Sequence, residues 1–218
     1  MGDVLQPPVL DELVVGDDPD SWAAAGFHVD GGVTWLGTVR VRLAGPDGGR
    51  GIRSWGLSPL PAGTDDVDGL PTHVPDDAGA APSRTLTHPN GITAFDHLVV
   101  ASPDLGRTVE RLVSLGLDLR RTRDVGSPER PRQQHFFWIG EPILELVGPT
   151  TPTGDGPSRF FGVACTVADL EATAAHLGEG CGRVKDAVQP GRRIATLRHE
   201  AFDISVPIAL MSAHVDPT

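Results

Sequence analysis

Three sets of side chains in this chain are equipped for chemistry: a histidine on an apolar strand, two runs of arginine, and two cysteines. His97 sits in Phe95-Asp96-His97-Leu98-Val99-Val100, whose apolar, partly β-branched run reads as a buried strand. An imidazole there serves as a metal ligand or an acid/base group only if partners reach it. Arg130 and Arg132, and Arg192-Arg193 after Gln189-Pro190-Gly191, carry the guanidinium geometry that clamps a carboxylate or phosphate. Yet Lys185 is the only lysine among 18 basic residues, a bias expected of a GC-rich bacterial coding sequence. Loop arginines are therefore first of all solvated surface. Cys165 lies in an apolar run and reads as a small core hydrophobe, and its spacing from Cys181 makes neither a CxxC knuckle nor a disulfide framework.

Other site chemistries lack their motifs. There is no GxGxxG or Walker-type loop, no GxSxG elbow, no HExxH and no basic-aromatic interleaving. A net charge of −11 argues against nucleic acid or anionic lipid as a partner. The 39% hydrophobic and 22% charged fractions are those of a globular protein with a core. No apolar run is long enough to cross a bilayer, and the N-terminus shows no basic segment leading into an apolar one. A cytoplasmic, reducing setting is the expectation.

The elements that must position these residues recur. Residues 8–59 predict a strand over Val9 to Val15, a short helix opened by Asp17-Asp18-Pro19-Asp20 and ended at Gly26, and strands Val33 to Leu36, Val39 to Leu43 and Ile52 to Leu57. Residues 60–91, rich in Pro, Gly, Asp and Thr, read as a linker or long surface loop without a core strand. Residues 92–149 predict a strand over Ile92 to Val100, then a helix with Ser102 as N-cap, Pro103 at its first position, and Leu105, Val109 and Leu112 on one stripe. A short strand over Leu117 to Arg121, a loop over Ser127 to Arg132, and a hairpin of His135 to Ile139 with Ile143 to Val147 around Gly140-Glu141-Pro142 follow. Residues 158–212 predict a strand over Phe160 to Val167, a helix begun by Asp169-Leu170, and strands Arg183 to Ala187, Gly191 to Arg198 and Ile204 to Leu210. A β-α-β-β-β order met three times is an internal repeat.

On Phe95-Asp96-His97-Leu98-Val99-Val100, Ile143-Leu144-Glu145-Leu146-Val147, Val163-Ala164-Cys165-Thr166-Val167-Ala168-Asp169-Leu170 and Gly191-Arg192-Arg193-Ile194-Ala195-Thr196-Leu197, the chain resembles the vicinal oxygen chelate superfamily. That superfamily includes glyoxalase I, bleomycin-resistance proteins, extradiol dioxygenases and methylmalonyl-CoA epimerase. The resemblance implies an α+β fold in which paired β-α-β-β-β modules form a cupped mixed β-sheet with helices outside. It implies a degenerate N-terminal module over 1–59, the linker over 60–91, and a glyoxalase-like domain over 92–212 made of modules 92–149 and 158–212. A homodimer and a small-molecule ligand are the partners it implies.

Members draw metal ligands from the first and last strand of each module. Here those positions are His97 and Glu145 in the middle module, but Gly162 and about Ala209 in the third. Half of the expected site is missing, so a divalent ion (Zn, Ni, Fe, Mn or Co) and no metal at all both stay open. Aligning Asp11-Glu12-Leu13-Val14-Val15 with Asp96-His97-Leu98-Val99-Val100 makes Glu12 a further candidate ligand, and His135 and Gln134 are candidates for a third ligand beside His97 and Glu145. Gln134, Phe136, Trp138, Phe161 and Arg193 are the candidate pocket residues. Two function classes follow: a binding or sequestering protein with an incomplete metal site, or a divergent metal-dependent lyase, isomerase or dioxygenase using His97 and Glu145.

Overall fold

The computed structural model describes residues 6–79 and 86–214. Its elements run β1 (Val9–Val15), α1 (Pro19–Ala24), β2 (Val33–Leu36), β3 (Val39–Leu43), β4 (Ile52–Ser58), β5 (Asp66–Val67), β6 (Leu70–His73) and β7 (Ile92–Ala101). They continue as α2 (Leu105–Ser114), β8 (Leu119–Ser127), β9 (Arg130–Trp138), β10 (Ile143–Pro149), β11 (Arg159–Val167), α3 (Leu170–Leu177), β12 (Lys185–Asp186), β13 (Arg193–Thr196) and β14 (Ile208–Ser212). The fold is α+β, with mixed sheets and few helices. The thrice-repeated β-α-β-β-β order is present. None of the described helices is long and apolar enough to cross a membrane.

Each helix begins at an aspartate placed to accept from the first turn. Asp18 accepts from the Asp20 amide at 2.9 Å, Asp104 from Arg107 at 3.1 Å, and Asp169 from Glu171 and Ala172 at 3.0 Å each. This corrects the expected start of the second helix. Ser102 is not its cap: the Ser102 hydroxyl accepts from the Asp104 amide at 2.9 Å and pairs with Thr108 Oγ1 at 2.7 Å. Asp104 then reaches the third amide of the helix, and Pro103 stays outside. Leu105, Thr108 and Leu112 form the buried stripe, with Thr108 in the place expected for Val109.

Two compact units make up the chain. One gathers Met1–Leu13, Ser54–Ala80 and His97–Phe161, the other Val14–Arg53, Ala81–Asp96 and Gly162–Thr218. In the first unit the strand order β7-β10-β9-β8 places β7 and β10 parallel and the rest antiparallel. Leu98, Val100, Leu144, Leu146 and Phe137 fill its buried face, with Leu105 and Leu112 of α2 also in the core. In the second unit, β12-β13-β14-β11 repeats that order, with β11 and β14 parallel. Cys165 is fully buried there, burial pushes its thiol pKa up, and both cysteines are free thiols.

The first set of elements repeats the order but not the pairing. In the second unit, Ala44, just past β3, donates its amide to Val15 at the end of β1 at 2.8 Å. In the strand order β1 thus stands between β3 and β4, whereas in the other two sets the first strand lies beside the last and not beside the third.

Residues 60–91 depart most from expectation. They carry β5 and β6 and bury Val67, Leu70 and Thr72, whereas the composition predicts no core strand; residues 80–85 lie outside the described residues. The physical reason is Asp68, held at φ 55° in the turn between the two strands. Its carboxylate accepts from Arg107 Nε at 2.5 Å, Thr108 Oγ1 at 2.5 Å and Ser158 Oγ at 2.8 Å, all in the same unit. Burial by itself would raise the Asp68 pKa, but these hydrogen bonds and the Arg107 charge outweigh it and hold the pKa below its ordinary value. Asp68→Ala should cost about 2 kcal/mol, the scale for leaving buried hydroxyls such as those of Thr108 and Ser158 without their acceptor. Because the folded pKa is depressed, the stabilisation is complete above the unfolded value near 3.8 and is lost as pH falls below it. Urea melts of both chains across that range check it: their difference should shrink in acid.

Candidate functional site

Strand alternation decides what β7, β10, β9 and β8 present. Leu98 and Val100 point into the core, so His97 and Val99 point the other way. The register carries this across the sheet: His97 lies beside Ile143 and that beside Trp138, while Glu145 lies beside Phe136 and that beside Arg121. One row further, Val147 is followed by Gln134 and Arg123. Thus His97, Glu145, Gln134, Phe136 and Trp138 share one face, and Arg123, which the sequence does not mark, joins them. The β7 and β10 residues on this face are half-buried, between the buried ones of the other face.

The polar side chains form a diagonal row. Arg123 donates through Nε (2.8 Å) and Nη2 to Gln134 Oε1, and its guanidinium lies 5.7 Å from the Phe136 ring centre. Gln134 Nε2 donates to Glu145 Oε1. Glu145 Oε2 is 3.7 Å from His97 Nε2, and both side chains are about 15% exposed (16% and 15%). Phe136 is half-buried, while Trp138 is 50% exposed beside them.

Other candidates lie elsewhere. His135 falls on the opposite face of β9 from Gln134, contacts Gln133 Oε1 at 3.2 Å, and has its pKa lowered by burial. Its placement corrects its reading as a third ligand, because a one-residue step along a strand reverses the side chain. Glu12 is buried and accepts from His73 Nε2 of β6 at 2.9 Å. Counting back from the helix caps, Asp11 and not Glu12 corresponds to His97, seven residues before Asp18 as His97 is before Asp104. Asp11 itself accepts from Ser58 Oγ and, at 3.0 Å, from the Gly79 amide. His73 is a partner that sequence reasoning misses, since it stands in the stretch read as a linker.

Arg193, expected to line the pocket, is half-exposed and pairs with Glu171 of α3; its neighbour Arg192 is the buried one. Phe161, on β11, is 60% exposed. Arg130 and Arg132 are exposed and belong to the β8–β9 hairpin instead of a loop, opposite Ser127 and Val125.

In the third set of elements, Gly162 has no room for a ligand: a Cβ there would stand 2.6 Å from the Pro207 carbonyl oxygen. Ala209 lies beside Ala164 and Thr196. Among the described residues no group of three or more His, Cys, Asp or Glu side chains is placed to hold a metal ion. The neighbouring amide oxygen, on Gln134, faces a guanidinium. A catalytic divalent ion commonly takes three protein ligands and an open position. One imidazole and one carboxylate do not fit that requirement.

Residues 94–203, half of the chain, match the model of the Glyoxalase/Bleomycin resistance protein/Dioxygenase superfamily. The chain belongs to that superfamily. Among solved structures it resembles a mutant of 4-hydroxymandelate synthase from Streptomyces coelicolor, with 12% identity and a TM-score of 0.60 over 98% of this chain and 94% of that one. Methylmalonyl-CoA epimerase of Mycobacterium tuberculosis is similar at 18% identity and a TM-score of 0.43, over 57% of this chain and 91% of that one. Methylmalonyl-CoA epimerase of Streptomyces coelicolor, in complex with 2-nitronate-propionyl-CoA, is similar at 24% identity and a TM-score of 0.43, over 57% and 99%. At these identities the likeness is one of fold. A search of curated proteins gave no match.

Proposed function

We propose that this chain binds a small molecule on the half-buried face of β7, β10, β9 and β8, and does so without a catalytic metal. The observation that carries this is Gln134, whose oxygen is turned to Arg123 and whose amide nitrogen is turned to Glu145. The carboxylate that would face a cation is thereby engaged by a protein donor. Phe136 and Trp138 supply aromatic surface next to it, as small-molecule sites require.

A second reading, a divergent metal-dependent lyase, isomerase or dioxygenase, rests on the 3.7 Å approach of His97 to Glu145. A homodimer and a cytoplasmic setting belong to the proposal, the former through the family resemblance. Sedimentation of the full chain tests the former.

Titration of the full chain with a panel of phenols and aryl amines, followed by calorimetry with and without EDTA, tests the binding proposal. At least one compound should bind with an affinity indifferent to EDTA. Trp138→Ala should weaken it about tenfold, the worth of one aromatic contact. Binding abolished by EDTA would favour the second reading. An affinity unchanged in both Trp138→Ala and Glu145→Gln would remove this face as the site.

A further inference from the structure

The row Arg123–Gln134–Glu145–His97 crosses β8, β9, β10 and β7, all within one unit. Its polarity follows from the donors alone. A guanidinium has only N–H groups, so the Gln134 oxygen must face Arg123 and its NH2 must face the carboxylate of Glu145. The reverse amide orientation would set donor against donor at one end and acceptor against acceptor at the other.

We propose that Arg123 and Gln134 are positioning residues that stand where a cation would act on Glu145. The guanidinium polarises the amide, and the amide holds Glu145 Oε1, so that Oε2 is left turned toward His97 as a hydrogen-bond acceptor. This rests on the ligand site proposed for the same face and narrows its occupant: an O–H or N–H group beside an aromatic ring, the ring lying on Trp138. The same row keeps a divalent ion out. Two guanidinium donors already occupy Gln134 Oε1, and their positive charge opposes a second cation there.

Cobalt(II) alone, titrated into the full chain and followed by its visible d–d bands, separates the possibilities. The unmodified chain is expected to show no tight uptake. Arg123→Leu frees the Gln134 oxygen to join His97 and Glu145, and should bind about one equivalent, about 10–100-fold more tightly than the unmodified chain. Gln134→Leu, which deletes the amide, should not show that gain. Tight uptake by the unmodified chain that disappears in His97→Ala would overturn the proposal. So would a folded Arg123→Leu that binds no better than the unmodified chain. If Arg123→Leu does not fold, Arg123→Gln, which removes the charge and keeps a polar side chain, takes its place under the same two criteria. Cobalt uptake needs no organic ligand, so the row can fail while the ligand site stands, and the ligand site can fail while the row stands.

Discussion

Arg192→Ala is expected to destabilise the chain by about 3–5 kcal/mol, the cost of breaking a buried ion pair by removing one partner. The Arg192 side chain is 1% exposed and its Nη2 lies 2.6 Å from Asp96 Oδ2. The same guanidinium donates to the Ser212 carbonyl at 2.8 Å and to Gln189 Oε1 at 2.9 Å, and its Nη2 reaches Thr166 Oγ1 at 3.3 Å. His214 Nε2 lies 3.2 Å from Nη1. One side chain thus ties β7, β11 and β14 within a single unit. Arg192→Lys keeps the charge but loses the planar fork, and should recover only part of the loss. Urea denaturation midpoints of the three chains measure it. A loss under about 1 kcal/mol in Arg192→Ala, the range of exposed pairs, would show that the network is not stabilising.

The second large effect is at Gly162, the position that the repeat equates with His97. Gly162→Ala is expected to cost about 3 kcal/mol, at the upper end of what overpacking a core imposes. Its Cβ would stand 2.6 Å from the Pro207 oxygen and 3.1 Å from the Pro207 Cβ, and that oxygen already accepts from the Val163 amide at 2.9 Å. Gly162→His should therefore lose stability without gaining a ligand. Thermal melts of Gly162→Ala and Gly162→His, with cobalt present and absent, decide the matter. A Gly162→His chain that folds normally and is stabilised by cobalt would show the third set of elements to be a restorable half-site.

Much of the fold is legible because its signals are local. Asp-Leu pairs start α2 and α3, Gly140-Glu141-Pro142 turns β9 into β10, and apolar runs mark β7 and β11. His97, Glu145, Gln134, Phe136 and Trp138 can be placed on one face from alternation once the repeat is recognised. What sequence reasoning misses depends on partners distant in the chain. β5 and β6 are two and four residues long and contain Pro71, so no periodicity announces them. Their anchor, Asp68, bonds side chains 39, 40 and 90 residues away.

The tip of the β8–β9 hairpin, Ser127 to Arg132, reads as a loop because arginine, glutamate and proline crowd it. Gly126 is what permits Pro131 to sit opposite it: a Cβ would come within 2.4 Å of the Arg130 oxygen. Arg192 and Arg193 are adjacent and of one type. Only the packing tells the buried cation from the surface one.

Elemental analysis of the purified full chain, beside a His97→Ala variant, bears most directly on the claim that this face works without a metal. Well under one zinc, nickel, iron, manganese or cobalt ion per chain is expected in both. One equivalent of any of these in the unmodified chain, lost in His97→Ala, would contradict it.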